Sequence, residues 1–224
     1  SVQGAIATSC ANSGPGARPR ATQPAASTTT PTRIGRGGSV AAATAMAQTT
    51  PDALIKQVST EVIDTIKADK AIQAGDIGKI IALVDAKVMP HVNFQRMTAS
   101  SVGRHWRTAT PEQQKKLQDE FKTLLVRTYA GALTQVKDQT VQLKPLRAAA
   151  EDTEVVVRTE VKGKGEPIQL DYRLEKANAD WKIYDVNVLG VWLVEQYRGQ
   201  FAQDIGTVGI DGLIAKLAER NKSA

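Results

Sequence analysis

Acid–base chemistry has one plausible seat in this sequence, Asp185, set in the apolar strand Trp181 to Val188 with Tyr184 and Asn187 beside it. A buried aspartate with a raised pKa is a general base in cone-shaped α+β isomerases. The structural reading is an aspartate paired with a basic neighbour such as Arg198, because no second acid–base group can be placed beside it. The two histidines, His91 and His105, fall on different elements, and the lone cysteine, Cys10, lies in the N-terminal tail. A zinc site or a Cys–His nucleophile needs ligands at defined spacing that this inventory does not supply, so neither metal nor cofactor is expected. Gly206, Gly209 and Gly212 follow the order G-x-x-G-x-x-G. They stand between two helical patterns rather than between a strand and a helix, so they read as a helix stop rather than a phosphate loop.

Charge narrows the partners further. The net charge of +6 is carried largely by Arg18, Arg20, Arg33 and Arg36, which lie in an acid-free stretch. Residues 51–224 hold 25 basic against 23 acidic residues, a balance of +2. A nucleic-acid binder concentrates Lys and Arg on its folded domain, so nucleic acid is not an expected partner. No run of 18 apolar residues is present, and no transmembrane helix is expected.

Residues 1–47 are rich in Ala, Thr, Ser, Gly and Pro and have no aromatic residue. Such a segment buries too little apolar surface to offset its ordering entropy. Arg33 and Arg36 precede small residues that close on Ala45-Met46-Ala47, the −3/−1 pattern of a signal-peptidase site. The stretch between holds only Val40 and alanines, short of an apolar core. Residues 1–47 are therefore read as a low-complexity leader or disordered tail, and 48–224 as a single domain.

Any site must be positioned by the elements of that domain. Thr50-Pro51 opens a helix whose Leu54, Ile55, Val58, Val62, Ile63 and Ile66 recur every three or four residues. Asp76 caps a second helix stopping near Pro90, and a short one spans Phe94 to Val102. Thr110-Pro111-Glu112-Gln113 is a capping box for a long helix bearing Leu117, Phe121, Leu124, Leu125 and Leu133. After Asp138 the apolar period drops to two. Val141 to Leu146, Glu154 to Val161, Ile168 to Glu175 and Trp181 to Val188 form a four-strand antiparallel meander, with turns at Gly163-Lys164-Gly165 and Asn178-Ala179-Asp180. Helical pattern resumes over 191–205 and 210–220. The fold class is α+β, with N- and C-terminal helices packed on one face of a curved four-strand sheet. The aromatic residues, Phe94 to Phe201, read as core on pattern alone, since a cleft wall and a core face share one composition.

Several ordered motifs carry a family likeness. They are Arg104-His105-Trp106-Arg107-Thr108-Ala109-Thr110-Pro111-Glu112-Gln113-Gln114, then Phe121 and Leu124 to Ala130. Trp181-Lys182-Ile183-Tyr184-Asp185-Val186 follows, and later Gly190, Leu193, Tyr197-Arg198, Gln200-Phe201 and Gly209 to Ile214. Over residues 51–220 the chain resembles the periplasmic Mla family of phospholipid-binding shuttles (maintenance of lipid asymmetry), also called toluene-tolerance auxiliary components of an ABC transporter. The resemblance implies a non-enzymatic, monomeric periplasmic carrier. It would bind acyl chains in an apolar cleft and shuttle phospholipid between an outer-membrane lipoprotein–porin complex and an inner-membrane ABC transporter complex. The expected cleft residues are Val155, Val157, Val161, Leu170, Tyr172 and Leu174 on the sheet, Leu125 and Tyr129 on the long helix, and Trp192 near the rim. Arg107 or Arg147 would meet the headgroup phosphate. Trp192 departs from the family pattern, which implies a smaller residue such as serine there. Two other readings stand beside the carrier: an enzyme acting on a small hydrophobic substrate with Asp185 as base, and a docking module with a filled interior.

Overall fold

The computed structural model describes residues 49–149, 151–163 and 166–223. The leader or tail expected over 1–47, and Lys164 and Gly165 of the expected turn, lie outside the described residues.

Helix α1 (Pro51–Ala68) starts where proline stands at the first helical position and buries Leu54, Ile55, Val58 and Ile66 along one stripe. A four-residue turn of helix, α2 (Lys70–Gln73), is capped by Asp69, whose carboxylate accepts from the Ala71 and Ile72 amides. Helix α3 (Ile77–Leu83) is capped by Asp76 through the Lys79 amide. It runs on into a π turn at Val84–Val88 and a 3-10 turn at Met89–His91, where Pro90 ends the helix. Helix α4 (Phe94–Val102) follows, and a 3-10 turn over Gly103–Arg107 leads to helix α5 (Pro111–Thr134). The capping box at the start of α5 forms as expected: Thr110 Oγ1 accepts from the Gln113 amide, and Gln113 Oε1 from the Thr110 amide.

Five strands in sequence order make one antiparallel meander: β1 (Thr140–Leu143), β2 (Glu154–Lys162), β3 (Ile168–Ala177), β4 (Asp180–Val188) and β5 (Val191–Trp192). The sequence predicts four. The fifth, Val191–Trp192, falls where the helical pattern was expected to resume, and the helix begins only at Leu193. The turn before β5 places Leu189 and Gly190 at positive φ, a geometry that returns the chain along β4 within two residues. Register fixes the two faces of the sheet. Val155 opposes Leu174, which opposes Ile183; Val157 opposes Tyr172, which opposes Val186; Thr159 opposes Leu170, which opposes Val188. A bulge between Arg173 and Leu174 absorbs one residue of β4.

Helix α6 spans Leu193–Ser223 and breaks at Gly209, whose φ of 72° suits a residue without Cβ. Three residues on, a Cβ at Gly212 would collide with the Val208 side chain, so the kink needs both glycines. The glycine run is thus a helix break, as its position between two helical patterns predicts.

Three apolar clusters form the core. One joins α4, α5 and α6 around Phe121, whose ring meets Tyr197 and Phe201 edge-on at 4.9 and 5.1 Å and lies tilted against Phe94. The second packs Leu54, Ile55 and Val58 of α1 on Val155, Val157, Leu174 and Ile183 of the sheet. The third ties α1 and α3 to Val126 and Ala130 of α5.

Candidate functional site

The helix-covered face of the sheet is graded from closed to open. At one end Val155, Leu174 and Ile183 are buried under α1, and Val157 in the next row is only 1% exposed. Further along the same face Tyr172, Val186, Leu170, Val188 and Val161 are only half-buried, and Ile168 at the edge is exposed. Across from them, half-buried Leu125 and Tyr129 of α5 and Ile210 and Ile214 of α6 pack against the aromatic cluster that Val186 and Val188 also touch. A sheet face beneath helices loses nearly all its accessible surface when the layers close. Apolar side chains left partly accessible in that position have the character of a cleft wall.

Tyr172 marks the boundary. Protein surrounds it closely enough that burial pushes its phenol above the ordinary tyrosine value, against hydrogen bonds from Ser59 and Thr159 that lower it. Yet its side chain keeps accessible surface. Ser59 brings α1 to this point, and buried Thr159 is held by donating Oγ1–H to the Leu170 carbonyl at 2.7 Å. Tyr129, on the opposite wall, is likewise pushed up, first by burial and then by the neighbouring Tyr197.

The expected site residues divide accordingly. Val155, Val157 and Leu174 are buried beneath α1, whereas Val161, Leu170, Tyr172, Leu125 and Tyr129 are only half-buried. Trp192 is on the other face of the sheet: it pairs with Asn187 in register, and the Arg173 guanidinium lies 3.8 Å from its ring centre. Arg107 is exposed in the turn after α4, and Arg147 is exposed on that same outer face of the sheet. Ser59, Val186, Val188, Ile210 and Ile214 are half-buried beside them without having been singled out in the sequence. The β2–β4 alternation places Val186 and Val188 on the correct face, whereas Ser59 carries no sequence signal.

Asp185, the candidate base, is 1% exposed. Its Oδ1 accepts from the Val186 and Val194 amides at 2.9 and 3.1 Å, and its Oδ2 accepts from Arg173 Nη1 at 3.0 Å. The partner is Arg173, not Arg198. Burial raises its carboxyl above the usual range, while the two amides and Arg173 pull it down. Val194 lies in the first turn of α6, so Asp185 satisfies an orphan helix amide from the neighbouring strand. With both oxygens engaged, this carboxylate anchors α6, one wall of the cleft, to β4. Asp185→Ala strands two amides and leaves Arg173 only its pairing with Glu195, and a loss of about 2 kcal/mol is expected in urea unfolding. An unchanged midpoint would contradict the anchor.

Residues 56–219 match the family model described as MlaC protein. The intermembrane phospholipid transport system binding protein MlaC of Haemophilus influenzae is 26% identical over 180 residues, covering 79% of this chain and 84% of the relative. Toluene tolerance protein ttg2D of Pseudomonas putida is 25% identical over 186 residues, covering 80% and 86%. Among solved structures, the phospholipid-binding protein of Ralstonia solanacearum in complex with a phospholipid, at 1.53 Å resolution, superposes with a TM-score of 0.75. It is 50% identical and covers 77% of this chain and 97% of its own. The names of two of these relatives speak of phospholipid binding or transport, and none names a reaction. The match runs from within α1 to within α6 and takes in every strand, and the chain belongs to the MlaC protein family.

Proposed function

We propose that this protein is a periplasmic phospholipid carrier. In this reading residues 1–47 are a leader, residues 48–224 are one lipid-binding domain, and the carrier acts as a monomer. It shuttles phospholipid between an outer-membrane lipoprotein–porin complex and an inner-membrane ABC transporter complex. The acyl chains occupy the space lined by Leu125, Tyr129, Val161, Leu170, Tyr172, Val186 and Val188. The observation that carries the reading is the helix-covered apolar face whose outer half stays accessible, in a chain half identical to a protein solved with phospholipid bound.

The energetics favour this kind of site. Each buried CH₂ contributes about 0.8 kcal/mol, so two long acyl chains represent on the order of 20 kcal/mol of transfer free energy. A carrier must match that with a dry apolar wall, and the polar headgroup can remain in water. No catalytic group is needed, and the titratable side chains around the cleft serve structure.

Native mass spectrometry of the protein purified from a Gram-negative host, followed by solvent extraction, tests this directly. The expected spectrum shows about one glycerophospholipid per chain, retained through detergent-free washing, on a polypeptide that starts at Gln48. A lipid-free mass that takes up no labelled phospholipid from vesicles would overturn the carrier.

A further inference from the structure

The face of the sheet turned away from the cleft carries a concavity of its own, of about 500 Å³. Arg147, from the segment after β1, Arg158 of β2 and Arg173 of β3 line it, against a single carboxylate, Glu154. Glu154 is already committed. Arg96 Nη2 donates to its Oε1 at 2.6 Å and Tyr184 Oη to its Oε2 at 3.3 Å, and Arg96 holds its carboxyl below the usual range. Arg173 is committed too, paired with Asp185 and Glu195 and stacked on Trp192. Arg147 and Arg158 are different: both are exposed, and neither forms an ion pair among the described residues. Asp171, opposite Arg158 in register, is buried and accepts from Gln169 instead. Val156, two residues from Arg158 on the same strand, is 38% exposed and also lines the concavity.

We propose that this concavity is a docking site for an acidic segment of a partner protein. Arg147 and Arg158 take its carboxylates, and an apolar side chain next to them covers Val156. Three features favour that occupant. Guanidinium matches carboxylate through paired, parallel N–H bonds, so two uncommitted arginines select for a planar anion. The volume far exceeds that of a small oxyanion, given that one water takes up about 30 Å³. The surface is recessed, whereas a bilayer presents a flat one. The inference rests on the carrier reading for the need of a partner. It adds that the partner holds the carrier by the face opposite the cleft, so docking leaves the lipid free to move.

The test uses the full chain and a capped, fluorescently labelled decapeptide of alternating glutamate and leucine, read by anisotropy, with phospholipid content measured on the same samples. Saturable binding should weaken with added salt. It should fall about tenfold or more in Arg147→Glu and in Arg158→Glu, with Arg220→Glu at the far end of α6 as the unaffected control. Arg158→Gln, which removes the charge without inverting it, should lie between. All three positions are exposed, and unfolding midpoints verify that the four variants fold. Absence of peptide binding overturns the proposal. So does inorganic phosphate binding with the same arginine dependence while the peptide does not compete, or phosphatidylglycerol vesicles binding through these arginines in preference to the peptide. Peptide binding by a chain that never holds phospholipid would sink the carrier and leave the docking site standing. Retained phospholipid without peptide binding would do the reverse.

Discussion

Leu170→Asp is expected to empty the cleft while leaving the fold intact. Leu170 stands on the accessible half of the covered sheet face, between Thr159 and Val188 in register. In the lipid-free protein an aspartate there stays reachable by water, so it keeps its hydration and the domain keeps its stability. With an acyl chain against it the carboxylate must shed that hydration, at a cost of several kcal/mol. Since each 1.4 kcal/mol is tenfold in affinity, retention should fall by about a hundredfold or more. Phospholipid per chain, extracted after reloading from vesicles, reads the effect, and far-UV circular dichroism verifies the fold. Wild-type lipid content in the variant would show that acyl chains do not pass Leu170. Val157→Asp is the contrast: Val157 lies two residues earlier along the facing strand, is 1% exposed beneath α1, and is expected to prevent folding.

Phe121→Ala and Leu125→Ala, one helical turn apart on α5, are expected to differ severalfold in cost. Phe121 is fully buried and touches three other aromatic rings. Truncation there removes burial and leaves a cavity that the surrounding helices cannot close, a loss of about 3–5 kcal/mol. For a domain of this size that lowers the melting temperature by on the order of 10 °C. Leu125 is already half-accessible, so Leu125→Ala gives up little packing, about 1 kcal/mol or less in the delipidated protein. Thermal unfolding of both delipidated variants measures the difference. Equal losses would mean that the space beside Leu125 is filled core, and the cleft would lose one wall.

The same two residues show how far pattern reading reaches. Period 3.6 places Phe121 and Leu125 together on the apolar side of α5, and the Thr110–Gln113 box marks the start of that helix to the residue. Period 2 places Val155, Val157 and Val161 on one face of β2. The Asp76 and Thr110 caps, the turn between Ala177 and Asp180 and the face assignments are local, set by spacing over a few residues, and the structure reproduces them. Elements too short to show a period escape such reading: the single turn α2, and the two residues of β5, which are a strand only because β4 offers them a partner.

Trp192 makes the point about the site. Its place after β4 suggests a cleft rim, but pairing with Asn187 turns it to the outer face beneath Arg173. Asp185 likewise reads as a possible base in its strand and becomes a helix anchor once α6 returns beside it. Spacing along the chain thus decided which side chains share a face and the α+β class, and ordered residue motifs carried the likeness to a lipid-binding family. Whether a given face is sealed or left open was settled by how far α1 covers the sheet. Val157 and Val161 are the same residue on the same face, four positions apart, one closed and one accessible. Periodicity is a property of neighbours in sequence, whereas burial depth is set by segments a hundred residues away.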